Sequence, residues 1–395
     1  MPHHGECKPP GGKLVAVDLE VVVGRLAAVR IRGDFFIHPE PSAKPTLDAI
    51  AAGLTGAPAD LDTPALAARV RAAVPFGVEL IGTSPEAVAV AVRRAVGLSD
   101  ELRAVSREPE DPAVLLTAHR SPLTARHIGS FTADEIDRLT AGWKALPWRL
   151  IPERPLPPAL NVALDEVLAD RVAKGACPPT LRFWRWSGQA VIIGRCQSVA
   201  NEVDRDAANA MGVQVVRRLT GGGAMFLQPH GAITYSLVLP ESAMAGLSIR
   251  QSYEVCEAWV IRGLRSLGVD AHHVPINDIA CSEGKIGGAA QARRRGVVLH
   301  HTTIAYDMDP GEMVKVLRIG REKLRDKATP SAAKRVSPLV RQTGLARDEI
   351  VRHLFETFRA TFGGDAGEVT AEELAEAERL VAEKYANPTW THEFA

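Results

Sequence analysis

Three consecutive glycines that follow two arginines constrain this chain more than any other segment. Residues 213–217 (VQVVR) predict a strand, which runs into Arg217-Arg218-Leu219-Thr220-Gly221-Gly222-Gly223-Ala224. Consecutive glycines cost backbone entropy, so their presence needs a reason. One reason is a backbone that approaches a bulky anion, with its N–H groups exposed and no Cβ in the way. Arg218 would add a bidentate contact to a phosphate, whereas a glycine bulge in a hairpin explains the triplet equally well.

The triple glycine does not match the common nucleotide-binding loops. No Gly-Lys-Ser/Thr follows it, as a Walker A loop requires, and the G-x-G-x-x-G spacing of a dinucleotide-binding fold is absent. A nucleotide bound here would have to be held in some other way.

A second informative segment covers residues 277–291 and reads NDIACSEGKIGGAAQ. Lys285 lies between Gly284, which we expect to form the turn, and the pair Gly287-Gly288, which keeps its surroundings open. An ammonium group there would neutralise a carboxylate and the phosphate that it attacks, while a lysine in a surface hairpin is the alternative. Asn277-Asp278 either opens a turn or provides Asp278 as a ligand for a metal ion or a nucleotide.

Histidines and a cysteine complete the set of candidate groups. His300 and His301 are adjacent on a predicted strand, so their rings face opposite sides and cannot easily share a metal ion. Cys281 is a candidate thioester nucleophile, although an incidental free thiol is favoured because no neighbouring base can be assigned.

Composition narrows the class of protein. Lys and Arg total 47, and Asp and Glu also total 47, so there is no basic excess of the kind found in nucleic-acid-binding proteins. The five cysteines are scattered without a CxxC pair, which argues against a disulfide framework or a zinc knuckle and suits a reducing compartment. No run of 18 apolar residues predicts a membrane helix. We therefore expect a cytoplasmic protein that binds neither nucleic acid nor membranes.

The pattern of strands and helices predicts an α+β protein. We expect a small α+β domain at residues 1–98, a linker with one helix at 99–147, and a larger domain at 148–395 with mixed or antiparallel sheets covered by helices. Strands are predicted at 13–23, 26–31, 181–185, 190–193, 213–217, 232–239 and 297–306, and helices at 46–54, 63–74, 84–96, 132–146, 161–173 and 251–267.

Taken together, these segments resemble the lipoate–protein ligase family, within the superfamily that also contains biotin protein ligases and octanoyltransferases. The resemblance covers most of residues 148–391 and rests on RFWRWSGQAVIIGRCQ, VVRRLTGGGAMF, ITYSL, PINDIACSEGKIGGAAQ and VLHHTTIAYDMD. Residues 11–97 are similar to the accessory domain of these ligases, which in the familiar bacterial arrangement follows the catalytic domain. The resemblance implies activation of lipoate with ATP and Mg²⁺ to lipoyl-AMP, followed by transfer to a lysine of a lipoyl domain. Such acceptors are the E2 subunits of 2-oxoacid dehydrogenases and the glycine cleavage H protein.

The resemblance also implies roles for individual residues. Lys285 is the expected catalytic residue, bridging the lipoate carboxylate and the α-phosphate. Asp278 is a candidate Mg²⁺ ligand, and Trp184 either packs against the lipoyl tail or belongs to the core. The expected substrate-binding and nucleotide-binding residues are Arg218, Gly221, Gly222, Gly223, Ala224, Asn277, Asp278, Gly287, Gly288, Ala289, His301 and Trp184.

Departures from the family pattern leave other readings open. Leu227-Gln228 replace the His-Asp pair that many members carry, and Thr302 stands where a glycine is common, which predicts a narrower pocket. An ATP-independent octanoyltransferase or lipoyl amidotransferase with a Cys281 thioester is the main rival. A biotin ligase, or a lipoyl-binding protein without turnover, is the remaining alternative.

Overall fold

The computed structural model describes residues 3–98, 131–318 and 336–394. The first of these segments contains its own apolar core, formed by a three-stranded sheet, a two-stranded sheet and helices packed against them. Its elements are β1 (His3–Cys7), β2 (Val15–Val22), β3 (Arg25–Gly33), β4 (Phe36–His38), α1 (Ala43–Leu54), α2 (Thr63–Ala73), β5 (Glu79–Ile81) and α3 (Pro85–Ala95).

Capping residues fix where the N-terminal helices begin. The side chain of Ser84 accepts a hydrogen bond from the backbone N–H of Ala87, and Pro85 occupies the first turn of α3. In α2, however, the capping residue is Asp62 rather than Thr63, because its carboxylate accepts from the N–H of Ala65. The helix predicted at 63–74 is present as Thr63–Ala73.

The remaining described residues form one large sheet, one small sheet and the helices that cover them. Their elements are α4 (Ala133–Leu139), β6 (Arg149–Ile151), β7 (Pro155–Leu156), α5 (Pro158–Ala173), β8 (Thr180–Trp186), β9 (Ala190–Ile193), α6 (Val199–Glu202), α7 (Arg205–Ala210), β10 (Gln214–Arg217), β11 (Met225–Leu227), β12 (Ala232–Pro240), α8 (Ile249–Ser266), β13 (His272–Val274), β14 (Asp278–Cys281), β15 (Gly284–Arg294), β16 (Val297–Ala305), α9 (Pro310–Val316), α10 (Leu339–Thr343), α11 (Arg347–Phe362), β17 (Asp365–Ala366), α12 (Ala371–Leu380) and α13 (Pro388–Thr391).

Within the described ranges, the large sheet has nine strands in the order β13-β14-β15-β16-β12-β8-β6-β17, with β7 paired to β8. Its central pairs, β15–β16, β16–β12 and β12–β8, are antiparallel, whereas β6 and β17 add parallel pairs at one edge. The predicted α+β class, with mixed and antiparallel sheets covered by helices, is confirmed. In the part of the chain that is described, no helix is both long enough and apolar enough to cross a membrane.

Strand alternation gives the large sheet two different faces. Residues directly opposite in a pair share a face, so His301, Ser236 and Arg182 lie in one row across β16, β12 and β8. The other face carries Phe183 and Tyr235, which pack against α8 and α11 in the largest apolar cluster. The functional side chains described below lie on the polar face.

The sequence predictions missed several strands. The 11-residue strand β15 was not predicted beyond the turn expected at Gly284, because Gly284, Gly287 and Gly288 disfavour strands in isolation. The helix predicted at 132–146 ends at Leu139 and continues as a 3-10 turn over Ala141–Ala145. Thr132 and Glu135 form a capping box at its start. Residues 99–130 of the predicted linker lie outside the described residues.

The small sheet, in the order β10-β9-β11, holds the strand that leads into the triple glycine. At its end, the buried guanidinium of Arg217 donates to five backbone carbonyl groups. Two of them belong to Trp390 and Thr391, so α13 is fastened to the end of β10. Arg217 therefore acts on the fold and does not reach a ligand.

Candidate functional site

A cavity of about 480 Å³ lies where the N-terminal segment meets the large sheet. Its wall combines the triple-glycine loop, the start of β14, the glycine-rich half of β15 and two pieces of the N-terminal segment. The lining residues are Lys8, Gly11, Gly12, Lys13, Leu14, Asp34, Arg218, Gly223, Ala224, Met225, Pro275, Ile276, Asn277, Asp278, Lys285, Gly288, Ala289, Ala290 and His301. Most of the residues singled out in the sequence are therefore gathered around one space.

Lys285 lies in this cavity because of a β-bulge. Lys285 pairs with Ala280 and Gly288 pairs with Asp278, so three steps along β15 match two steps along β14 and Ile286 is the extra residue. Without the bulge, Lys285 and Gly288 would face opposite sides of the sheet. With it, both face the same side as Asp278, and the Lys285 ammonium donates a 2.8 Å hydrogen bond to Oδ1 of Asp278.

Gly288 provides the space for that ammonium. A Cβ at Gly288 would lie 2.9 Å from Nζ of Lys285 and 3.5 Å from Oδ1 of Asp278. The expectation that this glycine keeps the surroundings of Lys285 open therefore agrees with the geometry. The Lys285 side chain is 47% exposed, so its ammonium is accessible from the cavity.

The triple glycine is explained mainly by packing against the N-terminal segment. A Cβ at Gly221 would lie 2.6 Å from the Phe36 ring and 2.9 Å from the carbonyl oxygen of Phe35, and Gly222 has a φ of +86°. Neither Gly221 nor Gly222 is among the residues that line the cavity, whereas Gly223 and Ala224 are. Only the second half of the loop thus faces the cavity.

Arg218 shapes this loop from within. Its guanidinium donates to Oγ1 of Thr220 at 3.0 Å and to the carbonyl oxygens of Ile192, Gly221 and Gly223. Burial lowers its pKa to about 10, which leaves it charged at neutral pH. Four N–H donors of the Arg218 guanidinium are therefore already bonded to protein oxygens. The geometry does not support the predicted bidentate contact of Arg218 with a phosphate.

A buried hydrogen-bonded chain supports the cavity floor. Asp165 Oδ2 accepts from Nδ1 of His301 at 3.0 Å, and Nε2 of His301 lies 2.8 Å from Oγ1 of Thr220. The other oxygen of Asp165 accepts from Arg182 at 2.9 Å and from Ser236 at 2.6 Å. Burial lowers the pKa of His301, while Asp165 opposes that shift. A neutral His301 protonated on Nδ1 satisfies both neighbours.

Sequence reasoning missed Asp165, Arg182 and Thr220. A signal was present, since helix α5 is apolar around Asn161 and Asp165, which are four residues apart and therefore on one face. Arg182 donates to both of them. A buried carboxylate needs a cationic or hydrogen-bonding partner, and that requirement points to a positioned network.

A second, apolar cavity of about 190 Å³ adjoins the first. The two cavities share Ala224, Met225, Lys285 and Gly288 in their walls. The remaining lining residues are Phe226, Leu227, Gly231, Ala232, Ile286, Gly287, Thr303, Ala305, Met308, Met313, Leu317 and Val336. Lys285 therefore lies at the boundary between a polar and an apolar space.

Two departures from the family pattern have a physical meaning here. Leu227 forms part of the apolar cavity wall, where a histidine would be polar, and Gln228 donates to Glu312 instead. Thr302 lies on the face opposite to His301. Its Oγ1 forms a 2.9 Å hydrogen bond with Nε2 of His300. The expectation that Thr302 narrows the pocket is therefore wrong, because its side chain points away from the cavity.

Cys281 also lies on the opposite face. It pairs with Gly284, one position from the Ala280–Lys285 pair, and belongs to the apolar cluster beneath the sheet. It lines neither cavity.

Trp184 is also buried. Its Nε1 donates a hydrogen bond to Ser236, and its ring lies edge-on to His301 with the ring centres 5.8 Å apart. This packing agrees with Trp184 as a core residue rather than as a contact for the lipoyl tail.

Asn277 and Asp278 face the cavity without forming a metal site. Asn277 donates to the carbonyl oxygen of Ala289 and accepts a 2.6 Å hydrogen bond from the Lys13 ammonium. Asp278 accepts from Lys285. Among the described residues, no group of three His, Cys, Asp or Glu side chains is arranged to hold a metal ion. Two lysines beside Asp278 do not fit the predicted Mg²⁺ site, since Mg²⁺ prefers oxygen ligands.

Comparison with known proteins bears on these observations. The family model described as lipoyl protein ligase A/B catalytic domain matches residues 157–359, just over half of the chain. The octanoyltransferase LipM of Kyrpidia tusciae is 34% identical over 62% of this chain and 98% of its own length. The LipM of an Exiguobacterium species is 33% identical over 62% of this chain and 97% of its own length. A solved structure of the bi-partite lipoate protein ligase of Thermoplasma acidophilum has a TM-score of 0.55 and 30% identity, covering 63% of this chain and 97% of that one.

These relatives correct the predicted activity. The curated relatives are named octanoyltransferases, so the prediction of an ATP-dependent lipoate–protein ligase is wrong, and its octanoyltransferase alternative agrees better. The fold did not distinguish the two, because the solved structure with the same fold is named a ligase. The match includes both signature segments, the triple-glycine loop and the Asn277–Gly288 hairpin. The chain therefore belongs to the lipoyl protein ligase A/B catalytic domain family, whose members include enzymes of lipoylation and protein modification.

Proposed function

We propose that the protein is an octanoyltransferase that moves an octanoyl group from a thioester donor to a lysine of an apo lipoyl domain, without ATP. The observation that carries this proposal is the position of Lys285 at the boundary between the polar and the apolar cavity. A medium-chain acyl thioester has an apolar tail and a polar carbonyl end that match these two spaces. The names of the curated relatives support the same substrate class.

In the proposed reaction, the acceptor amine attacks the thioester carbonyl. A C–N bond forms, the C–S bond breaks, and the leaving thiolate takes the proton that the attacking amine loses. Negative charge develops on the carbonyl oxygen as the tetrahedral intermediate forms. The Lys285 ammonium, held against Asp278, would donate to that oxygen and stabilise its charge.

The apolar cavity would hold the acyl tail. Leu227 and Phe226 on β11 and Ala305 on β16 form an apolar wall. Gly287 lets the backbone of β16 lie close beside it, since a Cβ there would lie 2.8 Å from the carbonyl oxygen of Thr303. Burial of the tail contributes roughly 0.8 kcal/mol per methylene, which favours an octanoyl over a shorter chain.

We propose direct transfer, without an acyl group on the enzyme. A thioester on Cys281 would form on the face of the sheet opposite to Lys285. Burial raises the pKa of Cys196 to about 12 and also raises the pKa of Cys256, which keeps both as unreactive thiols. The described residues that line the two cavities include no cysteine.

The proposed reaction also indicates which cofactors, acceptor proteins and parts of the chain take part. A thioester is already activated, so neither ATP nor Mg²⁺ takes part in the proposed reaction. The acceptor is a lipoyl domain of a 2-oxoacid dehydrogenase E2 subunit or the glycine cleavage H protein; the solved T. acidophilum system includes an E2 lipoyl domain. We assign catalysis to residues 148–395 and an accessory role to residues 1–98.

Mass spectrometry of a purified apo lipoyl domain tests the proposal. Incubation with the enzyme and octanoyl-acyl carrier protein, without ATP, should add one octanoyl group per domain. Lys285→Ala should abolish the reaction, whereas Cys281→Ala should retain most of it. Modification that requires free octanoate, ATP and Mg²⁺ would overturn the proposal, and loss of transfer in Cys281→Ala would replace direct transfer by an enzyme thioester.

A further inference from the structure

Three of the described residues that line the polar cavity are lysines, and the N-terminal segment supplies two of them, Lys8 and Lys13. The backbone N–H of Lys13 donates to the carbonyl oxygen of Gly82 at 2.6 Å. Its side chain crosses to the large sheet, where Nζ donates a 2.6 Å hydrogen bond to Oδ1 of Asn277, 264 residues further along the chain. Lys13 and Lys285 are therefore bonded to consecutive residues, Asn277 and Asp278.

The two lysines differ in what they are bonded to. Lys285 donates to a carboxylate and is 47% exposed, and both conditions favour its charged form. Lys13 is half-buried and donates to a neutral amide oxygen. Asn277 Nδ2 donates to the carbonyl oxygen of Ala289, which fixes Oδ1 as the acceptor for Lys13. An unprotonated Lys13 amine keeps this hydrogen bond and still has a lone pair to offer.

The charges around Lys13 favour its unprotonated form. Burial lowers the pKa of Lys13, and the positive charges of Lys285 and Lys8 lower it further, while Asp278 and Asp34 oppose this effect. The ionisable groups that line the cavity with Lys13 are Lys8, Asp34, Arg218, Asp278, Lys285 and His301. Two titratable groups that their surroundings push apart in this way suit different roles, one as a base and the other as a charged donor.

The proposed reaction needs a base in the polar cavity. An acceptor lysine has an ordinary pKa of about 10.4, so at neutral pH its nitrogen is almost entirely an ammonium without a lone pair. Lys285 lines both cavities, whereas Lys13 lines only the polar one. If the acyl tail occupies the apolar cavity and the carbonyl lies at Lys285, the acceptor nitrogen approaches through the polar cavity and meets Lys13.

Resting on the function proposed above, we propose that Lys13 is the general base of the transfer, so that the N-terminal segment supplies part of the reaction centre. The Lys13 amine takes one proton from the acceptor ammonium, which leaves a neutral amine with a lone pair. That amine forms the C–N bond as the C–S bond breaks, and its second proton goes to the leaving thiolate. Lys13 then returns its own extra proton to water.

An acceptor that needs no base provides the test. One apo lipoyl domain carries its native lysine, and a semisynthetic copy carries an aminooxy side chain of the same length, which is neutral at pH 7. Each is incubated with the full-length enzyme and octanoyl-acyl carrier protein, and enzyme-dependent transfer is followed by mass spectrometry. General base catalysis contributes about 10²- to 10⁴-fold. Lys13→Met should therefore lower kcat at least about 100-fold for the lysine domain and less than about threefold for the aminooxy domain.

Two further variants separate proton transfer from charge. Lys13→Arg keeps the positive charge, but a guanidinium stays protonated, so this variant should fail with the lysine domain as Lys13→Met does. The exposed Lys44, paired with Asp48, is the matched control, and Lys44→Met should change nothing. Transfer to the lysine domain retained in Lys13→Arg would overturn the inference, and so would equal losses with both acceptor domains in Lys13→Met.

A measurement without turnover keeps this inference separate from the proposed function. Neutral amines react with acetic anhydride and ammonium groups do not, so labelling across a pH series, read by mass spectrometry, reports the titration of each lysine. We expect Lys13 to titrate at a lower pH than Lys44. Titration of both at the same pH would overturn the inference, whatever the enzyme transfers. Absence of transfer by the wild-type enzyme to both acceptor domains would instead count against the proposed function.

Discussion

Asp278 and Lys285 lie seven residues apart on adjacent strands, and their charged groups meet at 2.8 Å because one extra residue, Ile286, directly after Lys285 in β15, brings both side chains to the same face of the sheet. The bulge places Lys285 and Gly288, which are three residues apart and would otherwise face opposite sides, on the same face of the strand and in the wall of the same cavity. The geometry of the proposed reaction depends on this local irregularity.

Gly288→Ala should displace the Lys285 ammonium. The new Cβ would stand 2.9 Å from Nζ, a distance at which one of the two groups must move. We expect kcat/KM for octanoyl transfer to fall roughly 10- to 100-fold, consistent with losing one stabilising donor to the developing oxyanion. Gly142→Ala is the control, since nothing lies within 4 Å of a Cβ there, and it should keep full activity. An active Gly288→Ala enzyme would show that Lys285 needs no fixed position.

Asp165→Asn should destabilise the fold. Asp165 is the carboxylate partner of Arg182, which is 2% exposed, and its loss leaves a buried guanidinium without a counter-charge. Breaking such a pair costs about 3–5 kcal/mol in the free energy of unfolding, measurable by urea denaturation. Asp137→Asn, which removes an exposed pair with Arg262, should cost less than about 1 kcal/mol. Similar losses in both variants would contradict the importance of the buried network.

His300 should make the protein less stable as the pH falls. Burial, with smaller contributions from His301 and His273, holds the pKa of His300 well below its ordinary value. Below about pH 6.5, His300 is therefore protonated in the unfolded chain but stays neutral in the folded chain. As the pH falls further, the free energy of unfolding decreases by up to about 1.4 kcal/mol per pH unit. His300→Gln should flatten this decrease in denaturation curves measured between pH 7 and pH 5.

His273 should behave with the opposite sign. Burial lowers its pKa, but the hydrogen bond and charge of Glu257 outweigh that effect and raise it overall. Its contribution to stability is present below the ordinary histidine pKa and is lost as the pH rises through the folded value. His273→Gln should thus cost more stability at pH 5.5 than at pH 8. The same cost at both values would indicate that the pair is not ionised.

Ala224→Leu should discriminate between long and short donors. Ala224 lines both cavities at their junction, so a larger side chain would obstruct the path of the acyl tail. We expect transfer from octanoyl donors to fall at least tenfold while transfer from acetyl donors falls less than threefold, measured as kcat/KM on an apo lipoyl domain. Parallel losses would place the acyl tail elsewhere.

The sequence predicted the fold class, and it singled out residues that the structure gathers around one cavity. Lys285, Asn277 and Gly288 were singled out because unusual residue types occur close together along the chain. Strand β15 was missed, since its glycines oppose strand formation and only pairing with β14 and β16 stabilises it. Lys13 and Asp165 were missed for a related reason, as each acts through partners far away in sequence.

The two arginines before the triple glycine show a different limit. Their charges suggested a phosphate site, but in the structure both guanidinium groups are buried and donate to backbone carbonyl groups. A sequence shows that an arginine is present, but it does not show whether the N–H donors of its guanidinium are bonded to the protein backbone or available to a ligand. That distinction depended on the loop geometry around Gly221 and Gly223.

The fastening of α13 by Arg217 has a consequence for synthesis in the cell. The guanidinium of Arg217 needs the carbonyl groups of Trp390 and Thr391, which leave the ribosome only after more than 170 further residues have been joined. Until then, a charged group destined for the interior lacks two of its acceptors. The set of hydrogen bonds at the end of β10 is therefore complete only when residue 391 of 395 has been synthesised.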